Sequence, residues 1–309
     1  MTARRAHGLA DRSGKSHPEF RLSRAAAGRV SSLRRIMRPV MPFAVQPAAA
    51  LVSVEGRGGL VRLAVVVVVC AGLAALINRW GHLGHGRDDL LAALRACLQL
   101  GVVGLLILAV LGSWWLTLGF ITLMLSVASV TAGRRLARRG QWWLAFAPVV
   151  LGAVPVAGGL MLSGLIPQQT IAVVPIVGIL IGGAMTATTL AGKRSLDALR
   201  TRHGEYEAAL SIGLLPRDSA LLIAREDAAL ALVPGLDQTR TVGLVTLPGA
   251  FVGMLLGGAA PLQAAAVQLV VLVALLLVQA IAVLVTVELV ARGRFRTEQV
   301  TASQTRRQS

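Results

Sequence analysis

Long apolar runs, each close to the length that crosses a bilayer, decide which class of fold is open to this chain. A helix needs roughly 20 apolar residues to cross a hydrocarbon core of about 30 Å. Runs of that kind fall at about 60–78, 91–112, 114–132, 144–164, 170–191, 239–258 and 262–290. In lipid every backbone N–H and C=O must find a partner inside the structure, so such runs read as helices. The expected fold is all-α: a polytopic transmembrane helical bundle of about seven spans. The second and third runs, the fourth and fifth, and the sixth and seventh are joined by very short turns. A composition of 55% hydrophobic and 15% charged residues agrees, because a soluble domain cannot hide that much apolar surface.

The net charge is +17, and the positive residues lie between and around the apolar runs. Lipid headgroups and the positive-inside rule account for that pattern better than nucleic acid does. Aromatic residues, at 4%, are too few for a base-stacking platform. Arg79 and Arg87 follow the first run, Arg134, Arg135, Arg138 and Arg139 the third, and seven Lys and Arg residues the fifth. The short turns near 112–113, 164–169 and 259–261 carry none. The long loop at 193–238 and the C-terminus are therefore expected in the cytoplasm, with the chain in the cell inner (plasma) membrane. Seven crossings would leave the N-terminus outside, against the eleven Lys and Arg residues in 1–58. Either translation starts later, at Met37 or Met41, or the first run does not span. The expected organisation is a basic extension at 1–58, a membrane domain at 59–292 and a basic cytoplasmic tail at 293–309. Gly8 to Ser16 approaches a phosphate-binding loop, but its spacing is one residue too long and no apolar strand precedes it.

The loop at 193–238 carries the most distinctive polar stretch. Glu207, Ala208 and Ala209, then three residues and Gly213, read as a short helix broken at the glycine. Gly213 can take the left-handed conformation that ends a helix. Pro216 then prevents continuation, and Asp218 or Ser219 can cap the next helix. That second helix is expected over 219–233, closed by Pro234-Gly235, lying along the interface or under the bundle. Such a helix–turn–helix knob suits a groove on a soluble partner.

Polar residues inside the runs are the other candidates. Arg95 either faces a cavity or snorkels from near a helix end. Gln99 lies on the same helical face, and it, Gln268 and Gln279 either bridge helices or line a path. Pro175 and Pro248 each free a carbonyl, which gives a kink or a cation ligand; for Pro248-Gly249 a functional break or hinge is the expectation. Glu288 is expected to snorkel. His82, His85, Asp88 and Asp89 are ligand types for a transition metal, set against a merely solvated loop. Met124, Met161, Met185 and Met254 are read as packing residues. Cys70 and Cys97 sit inside apolar runs and suggest neither a disulfide framework nor a zinc site. No catalytic set and no correctly spaced Walker A motif is present, so ATP hydrolysis is not expected on this chain.

Three blocks over residues 60–295 resemble the FetB-type iron-export permease family, which is itself similar to plant aluminium-tolerance permeases. They are Leu94-Arg95-Ala96-Cys97-Leu98-Gln99-Leu100; Pro175 to Gly178 with Gly182 and Met185; and Thr241 to Gly249 with Gly253, Gly257-Gly258, Pro261 and Gln268. The last stands in register behind the Glu-Ala-Ala…Gly loop, which resembles the coupling loop of ABC transporter permeases. The resemblance implies a permease subunit, a homodimer, driven by a separate ATPase that carries the ATP, with no cofactor on this chain. It assigns ATPase coupling to Glu207, Ala208, Ala209 and Gly213. With the physical grounds given above, the translocation path or hinge is expected at Arg95, Gln99, Pro175, Gly178, Leu247, Pro248, Gly249 and Gln268, and metal ligands are left open. Where that family has two methionines after Leu-Pro-Gly, this chain has Ala250 and Phe251; where it has Tyr-Gln, this chain has Val267-Gln268; and where it often has Gly-Asn, this chain has Gly182-Gly183. These departures leave the substrate open between iron, another metal ion and a non-metal compound. An intramembrane enzyme or a non-transporting scaffold are the rival classes.

Overall fold

A computed structural model describes residues 56–82, 84, 86–136, 141–165 and 169–295. Residues 1–55 with the Gly8–Ser16 stretch, His85, the Arg138–Arg139 pair and the tail after Phe295 lie outside the described residues. The helices are α1 (Gly56–Trp80), α2 (Gly86–Leu111), α3 (Trp114–Leu136), α4 (Phe146–Leu162, entered by a 3-10 turn at Trp142–Ala145) and α5 (Thr170–Thr201). Then follow α6 (His203–Ser211), α7 (Pro216–Ala229), a 3-10 turn at Leu230–Leu232, α8 (Val233–Thr241), α9 (Gly249–Leu256) and α10 (Pro261–Ala291). The described residues contain no strand, only one isolated bridge between Val242 and Thr246. The fold is an all-α polytopic bundle.

Among the described residues six helical segments are long and apolar enough to cross a membrane: those of α1, α2, α3, α4 with its entry turn, α5 and α10. The expected seventh span at 239–258 is not one helix. α8 stops at Thr241, an irregular stretch follows, and α9 restarts at Gly249. The cause is local. Gly243 takes φ +82°, outside the helical region. Pro248 disfavours helical backbone at Leu247 and then serves as the N-cap of α9. The segment still runs alongside α10 and antiparallel to it. Gly235 lies against Gln279, and Val242, Leu247, Pro248 and Phe251 lie against Ala265, Gln268 and Leu272. Gln268 to Leu272 sit roughly 10–16 Å along α10 from Pro261 at about 1.5 Å per residue.

Two further expectations are corrected. Pro234-Gly235 does not close a helix; Pro234 stands in the first turn of α8, where its missing N–H costs nothing. Neither Asp218 nor Ser219 caps α7. Leu215 holds the N-cap, with Pro216 in the first turn, while Ser219 is buried.

The core lies between α3, α4, α5 and α10 and is made largely of small residues. Ala128, Ala153, Ala184, Ala187, Ala274 and Ala282 join Val149, Leu180 and Val278 in one cluster. Small side chains let membrane helices approach closely, which matters where water gives no hydrophobic drive between them. At Gly152 an added Cβ would stand 3.0 Å from the Val278 carbonyl and 3.4 Å from Ala282. By contrast the apolar windows of α1 and α2 contain no buried residue. These two pack chiefly on each other and, through α2, on α3. At one end of the bundle Leu136, Leu144, Val290 and Phe295 form a second cluster. The C-terminal ends of α3, α5 and α10, with their Arg and Lys residues, therefore share one end.

Candidate functional site

The polar end is built around α6 and α7. α6 buries Ala209 and packs Tyr206 on the core, and leaves Glu205, Glu207, Ala208 and Ile212 exposed. Its end is a Schellman cap: the Gly213 N–H donates to the Leu210 carbonyl (3.0 Å) and the Leu214 N–H to that of Ala209 (3.1 Å). Gly213 sits at φ +93°, with nothing within 4 Å of where a Cβ would be. Backbone conformation rather than space selects glycine there. α7 buries Ala220, Leu221, Ile223, Ala224 and Ala228 and packs against α5 and α10.

Two ion pairs fasten α7 at its ends. Near its start, Arg217 donates to both oxygens of Glu288 on α10 (Nε to Oε1 2.7 Å, Nη2 to Oε2 2.8 Å) and to Asp218. Glu288 also accepts from Arg292 at 2.7 Å. Hydrogen bonding to Glu288 holds the Arg217 guanidinium above its ordinary value. Near its end, Asp227 accepts from Arg202 at the α5–α6 junction, and Arg202 also donates to the Ile223 carbonyl. The α6–α7 knob is thus tied to α5 through Arg202 and to α10 through Glu288. Sequence reasoning placed Glu288 as a snorkelling residue and did not pair it. An acid within four residues of Arg292 and an arginine opening α7 were the available signals, but their partnership spans 71 positions.

The second site is the break beside α10. The Thr241 carbonyl accepts from the Val245 N–H at 2.9 Å and from those of Leu244 and Thr246 at 3.3 Å, while the Gly243 N–H donates to Thr246. Leu247, Pro248 and Phe251 face Ala265, Gln268 and Leu272 across a cavity of about 270 Å³. Gln268 is only 6% exposed, and its Oε1 has no partner among the described residues. Gln279, three turns along the same face, is 8% exposed with its Oε1 equally unpaired. Its amide fills room left by Gly235, where a Cβ would fall on Oε1, and lies near Gly183.

The remaining candidates are not brought to this break. Arg95 and Gln99 are exposed on α2 and line no interior path of a single chain. Pro175 is exposed and α5 runs on through it unbroken. Gly178 admits the Met124 methyl, which would stand 2.9 Å from a Cβ there. Met124, Met161 and Met185 pack against the core. Asp89 accepts from Asn78, and among the described residues no group of three or more His, Cys, Asp or Glu side chains could hold a metal ion.

The profile of the family described as "Uncharacterised protein family (UPF0014)" matches residues 60–295. Protein ALUMINUM SENSITIVE 3 of Arabidopsis thaliana is 33% identical over 219 residues, covering 69% of this chain and 79% of that protein. The membrane protein STAR2 of Oryza sativa subsp. japonica is 30% identical, over 80% of this chain and 86% of its own length. The probable iron export permease protein FetB of Escherichia coli is 29% identical, over 68% and 81%. No solved structure matches. The match begins near the first membrane helix and ends just after α10, so it spans both the knob and the break. The chain belongs to the UPF0014 family and is a multi-pass membrane protein of the permease kind.

Proposed function

We propose that this chain is the membrane subunit of an ATP-driven exporter, working as a homodimer with a separate ATPase bound at α6. The observation that carries the reading is the capped α6–α7 knob, tied at one end to α5 and at the other to α10. An ATPase that grips Glu207, Ala208 and Ile212 would move both helices when it closes on ATP. The break at Leu247-Pro248-Gly249 then lets the segment beside α10 change shape while the bundle keeps its packing. Such a cycle requires that the two states bind substrate differently. The basic end of the bundle, with α6, α7 and the C-terminus, faces the cytoplasm of the inner membrane. The test is co-purification with the candidate ATPase from detergent. Glu207→Arg and Gly213→Pro should abolish it while leaving the membrane subunit inserted; unchanged co-purification of both would sink the reading.

Iron, named for the FetB relative, is the first substrate to try, by comparing iron efflux from cells with and without this chain. A second reading, a non-metal substrate, has support of its own. The cavity at the break offers one neutral amide oxygen among apolar walls, a poor set for a bare divalent cation, which takes several oxygen, nitrogen or sulfur ligands. Efflux unaffected by loss of the chain for iron and other transition metals would select this second reading.

A further inference from the structure

The turn between α1 and α2 frames an open cavity of about 600 Å³ that the proposed export cycle does not use. α1 ends at Trp80 and α2 begins at Gly86. The two helices come close there: a Cβ on Gly86 would stand 2.9 Å from the Ala75 carbonyl oxygen. That approach brings Arg79, in the last turn of α1, and Arg87, in the first turn of α2, around one space with His82. Among the described residues the cavity wall holds no acid. Asp89 is engaged by the Asn78 amide, and neither arginine forms an ion pair with a described residue. Two guanidinium forks around one space suit the oxygens of a phosphate, which they can take in pairs.

The cavity also has a lipid-facing side. α2 and α3 are joined by a turn of two residues, so the start of α2 stands at the same end of the bundle as Arg134 and Arg135 at the end of α3. Trp80, beside Arg79, is 84% exposed, and indole rings of that kind collect at the membrane–water boundary. One turn inward from the arginines, the wall continues as Leu76 on α1 and Leu90 on α2, both exposed. The apolar windows of both helices bury no residue, which leaves an apolar strip leading away from the cavity. A soluble phosphate would use the arginines alone, whereas a phospholipid uses the arginines and the strip. Basic pockets between membrane helices on the cytoplasmic side take anionic headgroups in this way.

We propose that this cavity seats one anionic phospholipid, its phosphate held by Arg79 and Arg87 with His82 and its acyl chains lying along Leu76 and Leu90. The inference stands apart from the exporter reading, since it needs neither an ATPase nor a second copy of the chain.

Native mass spectrometry of the full chain in detergent tests it, with phosphatidylglycerol and phosphatidylcholine of equal chain length as probes. The chain should retain one phosphatidylglycerol and hold phosphatidylcholine far more weakly. Arg79→Gln with Arg87→Gln should weaken phosphatidylglycerol binding roughly tenfold or more. Arg134→Gln with Arg135→Gln removes the same charge from exposed positions at the same end and should change it far less. Leu76→Trp fills the cavity with both arginines in place and should weaken binding several-fold, so it decides the matter if the arginine variant folds poorly. Inorganic phosphate in large excess should leave the lipid bound. The proposal is overturned if phosphatidylcholine binds equally well, if the Arg134 and Arg135 variant loses as much as the Arg79 and Arg87 variant, or if Leu76→Trp leaves binding unchanged. Displacement of the lipid by inorganic phosphate overturns it too, because the cavity would then be a site for a soluble phosphate group.

Discussion

α10 and the segment from α8 to α9 lie side by side, yet they are built in opposite ways. α10 is one helix of 31 residues that buries fourteen of them. Its neighbour is a helix of 9 residues, an irregular turn and a helix of 8 residues with no buried residue at all. α10 is held by close contacts to α4 and α5 through Gly152, Ala184 and Ala282. The broken segment is held from one side and contains the two conformational specialists Gly243 and Pro248. On the proposed function the difference separates a scaffold from a moving part: close packing gives few alternative arrangements, while a break concentrates change where few contacts must be remade.

The largest effect expected on this contrast comes from adding one carbon on each side of it. Gly133 sits in α3, where a Cβ would fall on the Trp142 backbone carbonyl. Gly133→Ala should destabilise the bundle by about 1–3 kcal/mol through overpacking. That outweighs the ~1 kcal/mol that alanine normally gains over glycine in a helix. At Gly235 the obstacle is the Gln279 side chain, which can swing aside. Gly235→Ala should therefore cost clearly less, and Gly235→Ala with Gln279→Ala should recover the loss. Thermal unfolding in detergent reads all three. Equal costs at 133 and 235 would mean that the broken segment is packed as rigidly as the bundle.

The same contrast explains what could be read in the sequence. Helix type, the six long apolar helices among the described residues and the glycine break after Glu207 were legible because they rest on local properties: apolar length and one positive-φ position. The seventh span was misread because hydropathy averages over 239–258 and is blind to the joint action of Gly243 and Pro248. Arg95 looked costly in a membrane, but the structure leaves it on the outside of α2, a fact of packing that no spacing discloses. The Arg217–Glu288 pair was illegible for a similar reason, since its partners are distant in sequence and each has a nearer oppositely charged neighbour.

Next in size are the two turn glycines, one at the knob and one at the break. Gly213 at φ +93° and Gly243 at φ +82° both have open space around the Cβ position. Alanine at either should cost about 1–2 kcal/mol from backbone strain alone. Asparagine tolerates the left-handed region and should restore part of that loss. Gly213→Ala should weaken ATPase co-purification, with recovery in Gly213→Asn, whereas Gly243→Ala should leave co-purification intact and impair transport. If both substitutions act on binding alone, the division between coupling knob and moving break is wrong.

The tie between these regions can be cut without disturbing either. Glu288→Gln removes the charge that Arg217 and Arg292 share. The partners are partly solvated, so folding should change little. ATPase stimulation by the membrane subunit should fall, and Arg217→Gln should add little further loss, because the two act as one unit. Additive losses in that double-substitution cycle would show that Arg217 and Glu288 do not transmit motion together.

The smallest change in stability is expected at Gln279. Its buried Oε1 has no partner among the described residues, and an unpaired buried acceptor typically costs about 1–3 kcal/mol. Leucine removes that penalty but must fit between Gly183 and Gly235, where the amide now lies. The two effects oppose each other, so Gln279→Leu should be within about 1 kcal/mol of the parent, with export retained. Gln268→Leu should be equally mild in stability but should lose export, because Gln268 alone of the two lines the open cavity. A large destabilisation by Gln279→Leu would mean that its oxygen is paired to something in the membrane. The polar seam would then continue past the break into the bundle, and the boundary between scaffold and moving part would have to be drawn through α10 itself.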